Sequence, residues 1–97
     1  MRYDVVLSDE AARDYKRLDA RDRAKVRDGM EIHLRFEPSK LSKSRIKRLR
    51  GMRKPQFRLR IDEIRVFYDI SDGTVEVHAI LPKSRAASWL ASVGEPE

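Results

Sequence analysis

Arg58, Arg60 and Arg65 alternate with apolar residues, and so does His78 further along the chain. Successive side chains of a strand point to opposite faces of a sheet, so these four are expected to share a face. Arginines there favour binding of an anion, unless they pair with acidic residues across the strands. His78 is the one side chain of that set whose imidazole transfers protons near neutral pH. The pattern predicts an anion-binding patch about two strands wide, with one proton-transfer group.

A block of basic residues surrounds part of this pattern. Ten lysines and arginines lie between Pro38 and Ile61, with no acidic residue among them. The rest of the chain has 12 basic and 16 acidic residues and is therefore net acidic, although the whole chain has a net charge of +6. Charge confined to one segment favours a polyanionic partner, because neutralising phosphates releases counterions. Nucleic acid is the leading candidate, and an ordinary solvated surface is the alternative for Lys40 to Lys47.

Two aromatic residues, Phe67 and Trp89, are candidates for stacking on the bases of a nucleic acid. Phe67 shares the strand parity of the arginines, and an aromatic ring beside cations is typical of base stacking. It is equally compatible with a minor core. Trp89 fits a core position, with base stacking as the alternative. The chain has no cysteine, and His33 and His78 lie far apart, so the sequence predicts no metal site and no cofactor.

The spacing of apolar residues predicts the helices and strands that would position these side chains. A β-branched run at residues 2–7 precedes Ser8, a good helix N-cap, and Asp19 offers a second N-cap for a helix reaching Phe36. Pro38 ends that helix, and a basic loop follows. Three segments with a period of two then predict consecutive strands joined by short turns. They are Phe57–Ile61, Ile64–Ile70 and Val75–Leu81.

A further short strand is expected at Ile46–Leu49, and a terminal helix at Ser84–Ala91. The order predicts a single α+β domain over residues 1–97: an N-terminal strand, a helical hairpin, an antiparallel sheet of three to four strands and a short C-terminal helix. We expect the helices to cover one face of the sheet. No segment has the apolar length of a signal peptide or a membrane span, so the expected location is the cytoplasm, without a membrane partner.

The segments LRGMRKPQFRLRIDEIRVFYDI (residues 49–70) and VEVHAILPKSRAASWL (residues 75–90) resemble the RelE/ParE family of bacterial type II toxins. The resemblance extends over nearly the whole chain and implies the RelE-like fold. Family members similar to RelE cut messenger RNA in the ribosomal A site, whereas those similar to ParE inhibit DNA gyrase. One fold therefore hosts two different functions.

Within the nuclease branch, the resemblance assigns places to individual residues. Arg58 and Arg60 stand where the family has two lysines, and Arg65 matches an arginine of the following strand. Lys83 or Arg85 matches a later basic residue, and the tyrosine place falls on Trp89 or Leu90. Arginine is a poor general base and indole cannot transfer a proton. The hypothesised base is therefore His78, with Glu76 as a weaker candidate.

These observations together predict a toxin that is a ribosome-dependent mRNA endoribonuclease inhibiting translation. The predicted catalytic residues are Arg58, Arg60, Arg65, His78 and Arg85. The predicted RNA-binding residues are Lys43, Lys47, Arg48, Arg50, Lys54, Phe67, Lys83 and Trp89. The resemblance also implies a cognate antitoxin, and operator DNA only through the toxin–antitoxin complex. The alternatives are a ParE-like gyrase inhibitor without nuclease chemistry, or a catalytically weak member acting mainly in the antitoxin complex.

Overall fold

A computed structural model describes all 97 residues, which form three helices and seven strands. In chain order these are β1 (Asp4–Leu7), α1 (Asp9–Arg17), α2 (Ala20–Leu34), β2 (Ile46–Arg48), β3 (Met52–Lys54), β4 (Phe57–Ile61), β5 (Ile64–Ser71), β6 (Thr74–Pro82), α3 (Lys83–Val93) and β7 (Glu95–Pro96). The predicted α+β order is confirmed. No helix combines the length and the apolar character needed to cross a membrane.

The predicted helix starts are confirmed by their caps. The Ser8 hydroxyl accepts a hydrogen bond from the backbone N–H of Ala11, and the Asp19 carboxylate accepts one from the N–H of Asp22. Each cap satisfies an N–H group that has no partner within its helix. The second helix ends at Leu34, two residues before the predicted end.

Five strands form one sheet in the order β1-β6-β5-β4-β2, and β3 pairs with β7 in a separate two-stranded sheet. The strands from β4 to β6 form the predicted antiparallel meander. In the turn between β5 and β6, Asp72 and Gly73 both have positive φ, as a two-residue hairpin turn requires. The predicted antiparallel sheet of three to four strands is confirmed by β2, β4, β5 and β6, and β1 adds a fifth strand that pairs with β6 in parallel.

The expectation that the helices cover one face of the sheet holds for α1 and α2 but not for α3. The main core lies between the sheet and the α1–α2 hairpin, where Ala11, Val26 and Leu34 pack against strand residues. A smaller core forms on the opposite face, where α3 packs on β5 and β6. The helices therefore sandwich half of the sheet, and we call the side that carries α3 the outer face.

A β-bulge in β6 changes the side-chain alternation. Phe67 pairs with Ala79 and Tyr68 pairs with Val77, so His78 is an extra residue without a partner on β5. Val75 and Val77 belong to the main core, but beyond the bulge Ala79 and Leu81 belong to the smaller one. The period of two in the segment Val75–Leu81 predicts one face for these four residues, and this prediction is wrong because one inserted residue reverses the parity.

Candidate anion-binding face and a separate histidine cleft

Four basic side chains lie together on the part of the outer face carried by β2, β4 and β5. Lys47 pairs with Arg58 across β2 and β4, and Arg60 pairs with Arg65 across β4 and β5. Their neighbours in sequence, such as Leu59 and Val66, lie in the main core, so the basic side chains point the other way. We call Lys47, Arg58, Arg60 and Arg65 the cationic face. Adjacent strands are roughly 4.8 Å apart, so these charges lie close to one another.

No carboxylate forms an ion pair with the cationic face, since none of the ion pairs in the structure involves any of its four residues. Asp62 lines a small cleft together with Arg60, but it is paired with Lys25. The Nε atom of Arg58 is buried and has no hydrogen-bond partner. Burial, together with the positive charges of Arg65 and Arg60, lowers the pKa of the Arg58 guanidinium. A buried donor without a partner is costly, and a side-chain movement that exposed this N–H to a bound anion would remove that cost.

Arg65 differs from the other members because its guanidinium is already partly engaged. It is only 7% exposed, and its Nη1 donates to the carbonyl oxygens of Asp62 at 2.8 Å and Ile64 at 3.1 Å. These bonds tie the side chain to the β4–β5 turn. Arg65 therefore holds the turn in place and contributes its charge to the face from a fixed position.

Phe67 lies at the border between the cationic face and the smaller core. It pairs with Arg58, but its side chain is 1% exposed and stacks on Trp89 of α3, with ring centroids 5.1 Å apart. The prediction that Phe67 is free to stack on a base is wrong for this structure, because α3 covers the ring. The minor-core alternative is the one observed.

The structure does not bring His78 to the arginines. The His78 Nε2 atom lies 2.8 Å from Oδ2 of Asp69, a carboxylate that is only 8% exposed. The other oxygen of Asp69 accepts the backbone N–H of Gln56 at 2.6 Å. The stacked Phe67 and Trp89 rings lie between the bulge and Arg58. His78 and the cationic face are therefore two separate sites.

The surroundings of His78 are acidic rather than basic. The imidazole lines a cleft of about 330 Å³ at the start of α1. Asp9, Glu10 and Glu95 supply carboxylates to this cleft, and Lys54 is its one cationic side chain. The Trp89 indole N–H donates to Glu10 at 3.2 Å, so Trp89 is engaged on its edge as well as on its ring. Three carboxylates would repel a phosphate, and RNA is therefore disfavoured in this cleft.

The remaining predicted residues are dispersed over the surface. Arg48 lies 5.5 Å from the ring of Phe57 and donates to the carbonyl of Gln56 at 2.9 Å, so its charge is held at the sheet edge. The others are exposed side chains outside the cationic face. They are Lys43 in the loop, Arg50 after β2, Lys54 on β3, and Lys83 and Arg85 in the first turn of α3.

Two residues at these sites were missed in the sequence. Arg45 precedes β2 at the parity of Lys47, and its carbonyl accepts the N–H of Arg60 at 2.8 Å. It also lines a small cleft together with Arg60 and Asp62. Asp69 is one of the acidic residues that the sequence offers as cross-strand partners for the arginines, together with Glu63 and Glu76, whereas in the structure it binds His78. The sequence did contain a signal for Arg45. Lys47 lies two residues further on, and residues two apart in an extended segment share a face.

The fold and the cationic face define a class of small α+β protein with a helical hairpin on one sheet face and a single helix beside a basic surface on the other. No protein-family profile matches the sequence, and no curated protein matches it either. Solved structures do match.

The RelE–RelB complex of the archaeon Pyrococcus horikoshii contains a chain that superposes with a TM-score of 0.71 at 22% identity, covering 88% of this chain and 99% of that one. The toxin–antitoxin complex RelBE2 of Mycobacterium tuberculosis gives a TM-score of 0.67 at 27% identity, covering 84% and 99%. The RelB–RelE complex of Methanococcus jannaschii gives 0.66 at 15% identity, covering 87% and 96%. The chain has the fold of these RelE chains, and the resemblance drawn from its sequence is confirmed.

Proposed function

We propose that this chain is the toxin of a type II toxin–antitoxin system and that its cationic face binds the phosphates of messenger RNA on the ribosome, where it acts as an endoribonuclease that inhibits translation. The observation that carries the proposal is the buried, unpartnered Nε of Arg58 within a group of cations that form no ion pair. The similarity in fold to toxins solved with RelB supports the same conclusion.

Cleavage would proceed by attack of a ribose 2′-oxygen, which loses its proton to water, on the adjacent phosphorus. The new bond closes a 2′,3′-cyclic phosphate while the bond from phosphorus to the 5′-oxygen breaks, and the 5′-oxygen takes up a proton from water. Negative charge builds up on the phosphoryl oxygens in this step, and fixed cations stabilise it most when they need not reorganise. Arg58 and Arg65 suit that role because Arg58 is partly buried, Arg65 is buried, and the sheet holds both. Arginine stays protonated at physiological pH, so neither arginine is assigned the proton transfers.

A second candidate function is RNA or ribosome binding without cleavage. The observation that favours it is the separation of His78 from the cationic face by the stacked Phe67 and Trp89 rings. No imidazole or carboxylate shares the face with the four cations. Such a protein would inhibit translation by occupancy, and messenger RNA would stay intact.

The test is translation of a defined messenger by purified ribosomes, followed by mapping of RNA 5′ ends. Wild type is compared with Arg58→Ala and with Arg13→Ala, which removes the same charge from the exposed surface of α1. New 5′ ends within the A-site codon, lost in Arg58→Ala and kept in Arg13→Ala, are expected. Inhibition with intact RNA would favour the second candidate. Unimpaired translation would refute both, and a gyrase supercoiling assay would then test the ParE-like alternative.

The partners follow from this proposal. The chain pairs with a cognate antitoxin, as RelE does with RelB in the similar structures. It contacts operator DNA only through that complex, and it works in the cytoplasm, where its ribosomal target is.

A further inference from the structure

A small cleft opens at the end of the sheet where β4 turns into β5. Its lining residues are Ser44, Arg45, Arg60 and Asp62, and its volume is about 240 Å³. We call it the Asp62 cleft. Arg60 also belongs to the cationic face, so the cleft adjoins the surface proposed to bind the phosphates of RNA. Apart from Arg60, its lining residues lie outside the site predicted from the sequence.

The two arginines of the cleft are held side by side by backbone hydrogen bonds. The carbonyl oxygen of Arg45 accepts the N–H of Arg60 at 2.8 Å. The Ser42 hydroxyl accepts the N–H groups of Arg45 at 3.0 Å and Ile46 at 3.2 Å, which fixes the turn before β2. Neither arginine forms an ion pair. Two neighbouring, unpaired guanidinium groups are suited to hold one phosphate between them.

Asp62 brings a carboxylate with one unused oxygen to the same cleft. Its carbonyl oxygen accepts a hydrogen bond from Nη1 of Arg65 at 2.8 Å, and its Oδ2 accepts one from the Lys25 ammonium at 2.7 Å. The Oδ1 atom accepts no hydrogen bond from the chain. The hydrogen bond from Lys25, together with the charges of Lys25, Arg21 and Arg60, lowers the pKa of the Asp62 carboxyl. The carboxylate is therefore ionised at neutral pH and acts only as an acceptor.

A ligand that satisfies the whole cleft must bring both an anion and a hydrogen-bond donor. A phosphate diester supplies the anion but has no donor. In RNA the ribose 2′-hydroxyl supplies a donor at every nucleotide, and DNA lacks this group. Lys25 balances the charge of Asp62, so the carboxylate does not cancel the attraction of the two arginines for a phosphate.

We infer that the Asp62 cleft is a nucleotide subsite that selects RNA over DNA. Arg45 and Arg60 hold one phosphate between them, and Oδ1 of Asp62 accepts the 2′-hydroxyl of the ribose beside that phosphate. The inference rests on the proposed function, and it concerns a nucleotide next to the one that is cut, because the cleft shares Arg60 with the cationic face.

The test compares the affinities of the full-length protein for short single-stranded oligouridylate and for oligodeoxyuridylate of the same length, by fluorescence anisotropy. Wild type should bind the RNA about fivefold more tightly, the usual effect of one hydrogen bond to an exposed charged group. Asp62→Gly should bind the two probes equally. Removing a negative charge strengthens the binding of both probes, so the ratio of the two affinities is the readout.

Asp72→Gly is the matched control. Asp72 is exposed and has a φ of 45°, close to the 50° of Asp62, but it lies in the turn at the other end of β5. Glycine adopts either conformation without strain. Asp72→Gly should keep the wild-type ratio, and Arg45→Ala should weaken both probes by the same factor. A ratio that persists in Asp62→Gly, or that is lost in Asp72→Gly as well, would refute the inference.

A modified probe tests the same contact without any substitution in the protein. Oligouridylate with 2′-fluoro riboses keeps the sugar shape of RNA but has no donor at the 2′ position. It should bind wild type as weakly as the DNA does. Binding as tight as that of RNA would show that sugar shape is recognised, and would refute the hydrogen bond. A ratio that differs between uridine and cytidine probes would assign Asp62 to a base, and would refute it too.

The ribosome assay separates this inference from the proposed function. Cleavage in the A-site codon by a wild-type protein that binds RNA and DNA equally would refute the inference alone. A preference for RNA that depends on Asp62, combined with unimpaired translation, would refute the proposed function alone. Failure of wild type to bind either probe would also refute the inference.

Discussion

Replacing Arg58 with alanine should reduce the salt dependence of RNA binding. Three cations of the face, Lys47, Arg58 and Arg60, have no partner in the structure, while Arg65 is engaged by two carbonyl oxygens. Three phosphate contacts to a single strand give a slope of log affinity against log salt of about −2.1. Without Arg58 the slope should fall to about −1.4.

These slopes correspond to a clear difference in affinity. Between 50 and 200 mM salt, the affinity of wild type should fall about 18-fold and that of Arg58→Ala about 7-fold, following the slopes above. Fluorescence anisotropy of a short labelled single-stranded RNA measures both. Arg58→Lys keeps the charge but lacks the buried Nε, so it should keep the wild-type slope with lower affinity at every salt concentration.

The control is Arg13→Ala, which removes an exposed charge from α1 that belongs to no ion pair. Its slope should equal that of wild type. A slope for Arg58→Ala that matches wild type would refute the assignment of Arg58 to phosphate binding. An equal reduction in Arg13→Ala would show that net charge alone, and not the cationic face, determines the affinity.

Three further predictions concern other parts of the molecule. Tyr68→Phe should lower the free energy of unfolding, measured by urea denaturation, by about 1–3 kcal/mol. The buried hydroxyl donates to the Pro38 carbonyl, and its removal leaves that acceptor unsatisfied. Unchanged stability would contradict this prediction. Burial raises the pKa of Tyr68, so the unfolded tyrosine loses its proton first and wild type should lose stability as the pH rises above about 10, a loss that Tyr68→Phe should reduce. His78→Ala should lower the free energy of unfolding by about 1–3 kcal/mol, since the buried Asp69 carboxylate loses its imidazole partner. The same variant should keep the wild-type salt slope for RNA binding. A changed slope would place His78 in the RNA site.

The sequence predicted the cationic face because that part of the sheet is regular. β4 and β5 are joined by a two-residue turn and pair without interruption from Phe57 to Ile61, so a strict period of two holds and the arginines share a face. The helix starts were predictable for a similar reason. Ser8 and Asp19 act through bonds to residues three positions away, and such local chemistry is visible in the sequence.

The errors arose where tertiary packing decided the outcome. The bulge at His78 adds one residue to β6, and no turn residue or glycine in the segment marks it. The docking of α3 was equally hidden, since Ala86, Trp89 and Leu90 indicate an apolar side of the helix but not which sheet face it covers. Pairing of β3 with the short β7 depends on contacts between distant residues, so local periodicity could not predict it.

The bulge also explains why this chain keeps a histidine and a buried aspartate outside the cationic face. If the side chains of β6 alternated strictly, His78 and Ile80 would point toward α3, where Ala79 and Leu81 now pack. The reversal therefore places apolar residues of β6 against α3, and it leaves His78 beside the buried Asp69. Asp69 binds both the imidazole and the Gln56 N–H, so it connects β6 to the start of β4 through β5. His78 is accordingly best explained as a residue that positions this connection, and the proposed phosphate binding depends on the arginines of the uncovered half of the face alone.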